Sequence, residues 1–199
     1  MTGDDKTLQF YDGQAQEYAE WSPPTHPYPW LEKFLAKAPE GRLLDFGCGG
    51  GWAAARMVET GRDVDALDGS AELAAQAKQL FGLNVRVARF DELSETAKYA
   101  GVWAHFSLLH DAKANMAANL KRLHDALIGE GLLYIGLKAG EGERRDRLGR
   151  FYAYYEMQEL SDLLADAGFL NIDIRGRTGA GYEGGESRVW HVFAHRGAA

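Results

Sequence analysis

Residues 43–51 read Leu43-Leu44-Asp45-Phe46-Gly47-Cys48-Gly49-Gly50-Gly51, an apolar run that ends in an acid and continues into alternating glycines. Glycine has no Cβ, so a strand that turns into a helix through such a loop lets backbone N–H groups approach a ligand closely. The carboxylate of Asp45 would repel a phosphate in the tightest part of this loop. The stretch therefore predicts a first strand followed by a binding loop for a ligand that offers a cation or N–H donors.

Length, composition and charge indicate a single globular domain. A chain of 199 residues is long enough to bury a full core, and its hydrophobic content of 46% is ordinary for a globular protein. The net charge of −7 disfavours a nucleic-acid partner, because binding to nucleic acid usually requires a positive face.

The cellular compartment is predicted from what the sequence lacks. Residues 1–6 do not have the basic and apolar parts of a signal peptide, and no apolar run approaches the length of a membrane span. Cys48 is the single cysteine, which leaves no internal disulfide and no cysteine-based metal site. We expect a cytoplasmic protein with no membrane partner and no bound metal.

The N-terminal 30 residues are predicted to form a segment of their own. Residues 4–20 read as one helix with an apolar face. Residues 22–29 contain four prolines, which cannot continue a helix. We therefore divide the chain into an N-terminal helix and lid segment at 1–30 and a single main domain at 31–199.

The main domain alternates strands and helices. Strands are predicted at residues 42–46, 63–67, 84–90, 102–106, 132–138, 170–175 and 189–194. Helices are predicted at residues 52–60, 71–81, 113–127 and 156–167. This alternation implies a mostly parallel sheet that is covered on both faces. The last two strands are joined only by a glycine-rich loop, so we expect an α/β, Rossmann-like seven-stranded sheet whose last strand is antiparallel.

The pattern acid-x-Gly-x-Gly-x-Gly from Asp45 to Gly51 resembles motif I of the class I S-adenosylmethionine-dependent methyltransferases. In that family the loop wraps the amino-acid and ribose parts of the cofactor. The chain is similar to small bacterial methyltransferases of the tellurite-resistance type. This resemblance continues at Asp68, Asp91 and residues 101–103, 107–110, 129–134 and 138–152. Ala100 departs from the family, which often has an acid at that place.

The resemblance implies S-adenosylmethionine as the cofactor, held at the carboxyl ends of the strands, where ligands bind in an open parallel sheet. Asp68 ends the second strand and is expected to accept the two ribose hydroxyls with its two oxygens. Asp91 is expected to meet the adenine amino group. The implied cofactor-binding residues are Tyr11, Asp45, Gly47, Gly49, Asp68, Gly69, Asp91, Phe106 and Ser107.

The expected activity is methyl transfer, which asks the protein mainly to align the reactants and exclude water. A side-chain base is optional when the acceptor is a thiol, an anion or an amine of low pKa. His110 lies beside Asp111 at the end of the fourth strand and is the candidate catalytic base.

We expect a small-molecule acceptor, enclosed between the N-terminal segment and the loops after strands four to six. The predicted aromatic lid contains Tyr18, Trp21, His26, Tyr28 and Trp30. The predicted opposite wall contains Arg145, Arg150, Tyr152, Tyr154, Tyr155, Arg177, Tyr182 and Arg188. The arginines would suit an acceptor with a carboxylate, phosphate or oxyanion. Ion pairing with neighbouring acids on a solvated face is the alternative interpretation for each of them.

Three other functions remain open at this point. One is methylation of a nucleic acid or a protein, which needs an exposed rim suited to a macromolecule. The fold can also serve a cofactor-binding sensor or partner protein without activity. An NAD-dependent oxidoreductase is the third alternative, because Gly49-x-Gly51-x-x-Ala54 is a dinucleotide fingerprint and Tyr134-x-x-x-Lys138 has the spacing of a short-chain dehydrogenase pair. That pair must lie on a helix, whereas residues 132–137 read as a buried strand.

Overall fold

A seven-stranded sheet forms the centre of the protein. The computed structural model describes residues 3–24, 26–180, 182, 184 and 186–198. In the sheet the strands follow the order β3-β2-β1-β4-β5-β9-β8, and β6 and β7 form a separate hairpin. The strands are β1 (Leu43–Phe46), β2 (Val64–Asp68), β3 (Val85–Val87), β4 (Tyr99–His105), β5 (Leu127–Lys138), β6 (Glu143–Arg145), β7 (Phe151–Ala153), β8 (Phe169–Ala180) and β9 (Glu186–Arg196).

The predicted antiparallel last strand is confirmed. Strands β1 to β5 pair in parallel, whereas β9 pairs antiparallel with both β5 and β8. The chain moves outward from β1 to β2 and β3 and then returns to β4 on the other side of β1. This reversal of strand order opens a crevice between the carboxyl ends of β1 and β4, which is where ligands bind in such sheets.

Helices cover the sheet and the ends of its strands. They are α1 (Asp5–Gly13), α2 (Ala15–Trp21), α3 (Pro29–Lys37), α4 (Trp52–Glu59), α5 (Ala71–Phe81), α6 (Lys113–Ala126) and α7 (Met157–Asp166). The prediction of one helix over residues 4–20 is wrong, because Gln14 has a non-helical backbone that separates α1 from α2. The side chain of Asp12 accepts a hydrogen bond from Ser70 Oγ at 2.6 Å, which ties the end of α1 to the start of α5.

Helix α3 was not predicted from the sequence. Pro29 is its first residue, a position where the fixed φ of proline suits a helix and its missing N–H is not needed. Leu31 and Phe34 of α3 are buried in a cluster with Trp103 of β4. The proline-rich loop therefore ends one residue earlier than predicted, and its last proline begins a core helix.

Several strands differ from the prediction: β5 and β8 extend beyond the predicted 132–138 and 170–175, and β4 begins at Tyr99 and not at 102. The strand predicted at 84–90 is only Val85–Val87, because the chain turns into the 3₁₀ turn Phe90–Glu92. There the Glu92 carboxylate accepts the backbone N–H of Arg89 at 2.6 Å. The hairpin of β6 and β7 was missed as well, since strands of three residues show too little alternation to be recognised.

Alternating residues of the central strands serve two separate cores. Val102 and Ala104 of β4 pack on the side of α6 and α7, whereas Trp103 packs on the side of α3. In the described part of the chain, no helix has the length and apolar character needed to cross a membrane.

Candidate active site

The loop after β1 turns through glycines with left-handed backbone angles. The angle φ is +77° at Gly47, +55° at Gly49 and +84° at Gly51, values that other residues rarely adopt. A Cβ at Gly47 would lie 2.2 Å from the Cβ of Ser107, so no side chain fits between β1 and the end of β4. The N–H of Gly47 donates to the carbonyl of Leu67 at 2.8 Å, which holds the loop against β2.

Two buried carboxylates lie beside this loop. Asp45 Oδ2 accepts the N–H of Ala54 at 3.0 Å. The oxygens of Asp68 accept the N–H groups of Gly49 at 2.8 Å and Ser70 at 2.9 Å. Burial raises the pKa of Asp45 to about 8 and also raises the pKa of Asp68. Neither carboxylate forms an ion pair with a described residue, so both favour a ligand that brings a cation or hydrogen-bond donors.

The alternative structural role of Asp68, as the cap of α5, is filled by its neighbour. Ser70 is the N-cap residue, and its Oγ accepts the N–H of Leu73 at 3.0 Å. Asp68 instead lies on the cavity wall together with Asp45. A ribose with two hydroxyls and an ammonium group therefore fit the acceptors that this loop presents.

A cavity of about 790 Å³ opens at the carboxyl ends of the strands. Of the ten predicted site residues, nine line it, namely Tyr11, Asp45, Gly47, Gly49, Asp68, Gly69, Phe106, Ser107 and His110. Asp91 lies in the 3₁₀ turn after β3 and is not on the wall, where Ala88, Arg89 and Phe90 lie instead. The predicted contact of Asp91 with adenine stays a prediction.

The end of β4 approaches the glycine loop through two of the predicted residues. Phe106 has a left-handed φ of +53°, which turns the chain sharply after the strand. The Ser107 hydroxyl donates to the carbonyl of Phe46 at 2.6 Å, across the crevice between β4 and β1. The point at which strand order reverses is thus closed by one side-chain hydrogen bond.

The N-terminal helices roof the cavity. A Cβ at Gly69 would lie 2.9 Å from Leu8 Cδ2, and a Cβ at Gly50 would lie 2.8 Å from the Cβ of Ala19. These glycines therefore allow α1 and α2 to contact the loop closely. Of the predicted aromatic lid, Tyr18, Trp21, Tyr28 and Trp30 line the cavity and His26 does not.

His110 is held by hydrogen bonds at both ring nitrogens. Its Nδ1 lies 2.7 Å from the carbonyl oxygen of Phe151, which can only accept, so Nδ1 carries the proton. Its Nε2 is then the acceptor for the Tyr11 hydroxyl at 3.0 Å. Burial lowers the pKa of His110 to about 3, and the ring is neutral. Acceptance of a proton from an acceptor molecule at Nε2 requires that Tyr11 first give up its hydrogen bond.

Comparison with known proteins finds similarity to methyltransferases. Residues 43–131 match a protein-family model described as a methyltransferase domain. An uncharacterised methyltransferase of Staphylococcus carnosus is 26% identical over 132 residues, which is 66% of this chain and 63% of that protein. The chain thus spans less than two thirds of the length of the curated relative that it matches. Residues 43–131 of the chain are thus similar to a methyltransferase domain.

Solved structures agree with this fold. The 1,6-didemethyltoxoflavin-N1-methyltransferase of Burkholderia thailandensis, with S-adenosylhomocysteine bound, is 22% identical with a TM-score of 0.74 and covers 96% of this chain and 88% of its own. Phosphoethanolamine N-methyltransferase 2 of Haemonchus contortus, in complex with S-adenosylhomocysteine, is 14% identical with a TM-score of 0.77 and covers 97% of this chain and 59% of its own. A second structure of the Haemonchus contortus enzyme is in complex with S-adenosyl-L-methionine.

The arginines of the predicted wall differ in their surroundings. Arg150 and Arg177 line the cavity, whereas Arg145 and Arg188 do not. The Arg150 guanidinium is buried, pairs with Asp146 at 2.7 Å and donates to the Tyr11 hydroxyl at 3.1 Å. Its charge is therefore neutralised inside the protein and is not offered to an acceptor.

A second polar cluster on the cavity wall was not predicted from the sequence. The Tyr134 hydroxyl lies between His105 and His191, and both histidines line the cavity. His105 is the last residue of β4, so the rule that strand ends form the site could have included it. His191 carried no such signal, because the register of β9 against β5 cannot be inferred from the sequence. Tyr134 and Lys138 both lie on β5, which removes the helical pair of the dehydrogenase alternative.

Proposed function

We propose that this protein transfers the methyl group of S-adenosylmethionine to a small-molecule acceptor held beneath the N-terminal helices. The observation that carries the proposal is one continuous cavity that joins the glycine loop to an aromatic, roofed space. Its volume of about 790 Å³ is in the range of small-molecule sites, about 300 to 1,000 Å³.

The residues of the glycine loop have distinct parts in this proposal. When bound, S-adenosylmethionine supplies a methyl group on a positively charged sulfur. Asp68 accepts the ribose hydroxyls, Asp45 faces the cationic amino-acid end, and Ser107 lies where the reacting group is held. Tyr18 and Trp21 of the roof exclude water from that group.

A small acceptor is also supported by analogy with a relative of the same fold. The structure from Burkholderia thailandensis holds 1,6-didemethyltoxoflavin, a small molecule, beside S-adenosylhomocysteine. This analogy concerns the fold alone.

The proposal also covers the N-terminal segment, the location of the protein and the base. Residues 1–30 act as the lid, and the protein works in the cytoplasm without a membrane or nucleic-acid partner. His110 is the predicted base, with Tyr11 between its Nε2 and the cavity.

Titration calorimetry with S-adenosylmethionine, S-adenosylhomocysteine and NAD tests the proposal. We expect binding of both sulfur compounds and none of NAD. Asp68→Ala should weaken binding at least about tenfold, because it removes an acceptor of charge-assisted hydrogen bonds. Asp63→Ala is the matched control, since Asp63 lies just before β2 and its side chain is 80% exposed. Binding of NAD alone, or equal affinities of the two variants, would contradict the cofactor site.

A second measurement separates an enzyme from a sensor. The protein is incubated with S-adenosylmethionine and a mixture of small phenols, amines and thiols, and S-adenosylhomocysteine is quantified. An enzyme forms S-adenosylhomocysteine only when an acceptor is present. Cofactor binding without turnover on any acceptor class would favour the sensor.

A further inference from the structure

One row of the sheet places two histidines on either side of a glycine. His105 of β4 is in register with Gly136 of β5, and Gly136 is in register with His191 of β9. Tyr134 lies two residues earlier on β5 and therefore on the same face of the strand. A Cβ at Gly136 would lie 3.1 Å from His105 Nδ1 and 3.4 Å from the Tyr134 hydroxyl. The missing side chain leaves the space in which the three polar groups meet.

The two histidines share a single hydroxyl group. The Tyr134 oxygen lies 3.1 Å from His105 Nδ1 and 2.7 Å from His191 Nδ1. A phenol carries one proton and can donate to only one of these nitrogens, so at least one ring donates its own Nδ1–H to Tyr134. A neutral ring that is protonated at Nδ1 has a lone pair at Nε2.

The outer nitrogens of the two rings are free to meet a ligand. Both histidines line the cavity, and neither Nε2 is hydrogen-bonded to any residue that the structure describes. The rings are held by stacking, with Trp103 at 5.2 Å from His105 and Trp30 at 4.3 Å from His191. Burial lowers the pKa of His105 to about 3 and that of His191 to about 4, so both rings are neutral at pH 7.

We propose that His105, in place of His110 whose Nε2 is engaged by Tyr11, is the general base of the reaction, and that the acceptor is a planar aromatic molecule with an ionisable O–H or ring N–H. His105 directly precedes Phe106 and Ser107, where the reacting group is held in the proposed function, on which this inference rests. The Tyr28 ring lies 4.9 Å from the His105 ring and the Trp52 ring lies 5.9 Å from it, both edge-on. Both rings line the cavity, where aromatic edges and faces pack well against a flat acceptor.

Charge at this end of the cavity selects against a cationic acceptor. Of the cationic side chains on the wall, Arg177 lies near His191, Lys33 pairs with Asp173 at 3.5 Å, and Lys138 lies over the Tyr152 ring. Among the described residues of the wall, the carboxylates are Asp4, Asp45 and Asp68. Two of these belong to the glycine loop, and Asp4 pairs with Arg145 at 2.7 Å. An acceptor with an anionic substituent is therefore favoured over one with an ammonium group.

The proposed step is a substitution at the methyl carbon. The acceptor oxygen or ring nitrogen forms a bond to that carbon, while the carbon–sulfur bond breaks and sulfur keeps the electron pair as a neutral thioether. The acceptor proton passes to Nε2 of His105, so the positive charge moves from sulfur to the imidazole. Tyr134 and His191 are positioning residues, because they fix the orientation and tautomer of His105.

The test uses protein saturated with S-adenosylhomocysteine and titrated with three probes of one ring size. These are 4-hydroxybenzoate, benzoate without the hydroxyl, and tyramine with an ammonium group in place of the carboxylate. We expect 4-hydroxybenzoate to bind at least about tenfold more tightly than either of the others. His105→Asn keeps a polar group near Nδ1 but has no Nε2, and should bind 4-hydroxybenzoate and benzoate equally.

His195→Asn is the matched control, because His195 lies on β9 outside the cavity wall and should leave all three affinities unchanged. Imidazole nitrogen NMR of the wild type gives a readout independent of any ligand. At pH 7 it should show the Nδ1–H tautomer for His105.

The outcomes separate this inference from the proposed function. Wild-type protein that fails to bind S-adenosylhomocysteine would overturn the proposed function, and the acceptor site with it. If S-adenosylhomocysteine binds, equal affinities for the three probes would overturn the acceptor site alone. A hydroxyl preference that survives in His105→Asn, or an Nε2–H tautomer on His105, would do the same.

Discussion

Two tyrosine–histidine clusters share the cavity and use their hydrogen bonds differently. In the closed cluster, the hydroxyl of Tyr11 and the carbonyl of Phe151 engage both ring nitrogens of His110. In the open cluster, the hydroxyl of Tyr134 serves the Nδ1 atoms of two histidines and leaves both Nε2 atoms without a partner in the described residues. The same residue types thus connect structural elements in the closed cluster and leave an unused hydrogen-bond acceptor in the open cluster.

The difference follows from what each cluster connects. The closed cluster joins α1 to the turn after β4 and, through Phe151 and Arg150, to the region of β7. It therefore holds the roof on the domain. The open cluster lies within three neighbouring strands that the sheet already holds together, so its hydrogen bonds are not needed for closure. In the open cluster the fold does not use the Nε2 lone pair of the histidine, so that lone pair is available to accept a proton.

The largest expected effect comes from breaking the closed cluster at Arg150. Arg150→Met leaves the carboxylate of Asp146 buried without its partner, since both side chains are at most 3% exposed. We expect the free energy of unfolding to fall by about 3–5 kcal/mol, measured by urea denaturation. Arg175→Met removes an exposed ion pair with Asp173 and should cost less than about 1 kcal/mol. Equal losses would show that Arg150 is not part of a buried pair.

An intermediate effect is expected in the pH dependence of stability. His110 and His105 have folded pKa values of about 3, well below the unfolded value of about 6.5. The unfolded state binds more protons between these values, so the stability present above pH 6.5 is lost as pH falls toward 3. His110→Phe and His105→Phe should each take up about one proton fewer on unfolding near pH 5. Urea denaturation at pH 7.5 and 5.0 measures this slope.

The pH slopes of the two variants compare the protonation of His110 in the closed cluster with that of His105 in the open cluster. His195→Phe is the control, and its pH slope should follow the wild type more closely. If His105→Phe keeps the full wild-type slope while His110→Phe does not, His105 titrates normally and its cluster is not a buried neutral pair.

The smallest effect separates the two tyrosines. Tyr11→Phe and Tyr134→Phe should each cost about 1 kcal/mol of stability, because each removes one hydroxyl from a hydrogen-bonded group. Only Tyr11→Phe should also weaken binding of S-adenosylhomocysteine. Tyr11 belongs to the roof and lines the cavity, whereas Tyr134 lies in β5 and does not line the cavity. Thermal denaturation and calorimetry measure the two quantities. Weaker S-adenosylhomocysteine binding in Tyr134→Phe would place the open cluster at the cofactor instead of the acceptor.

The residues proposed to bind the cofactor could be predicted from the sequence because they lie close together along the chain. Asp45 and the glycines of its loop lie within one strand–turn–helix unit, and Asp68 ends the next strand. Their spacing alone predicts where the carboxyl ends of parallel strands bring them. Asp91 was placed by the same argument, but β3 ends before it and a 3₁₀ turn carries it, so its contact with adenine stays a prediction.

Local pattern along the chain was therefore enough for the α/β sheet, its antiparallel last strand and the glycine loop that follows β1. The two histidine clusters depend on long-range register instead. His105, Gly136 and His191 come from three strands and meet only because β9 pairs with β5 at one particular offset. Periodicity predicts that a strand forms and which face it buries, whereas the choice of partner and offset depends on packing of the whole chain. The acceptor side of the cavity is consequently a property of the assembled sheet.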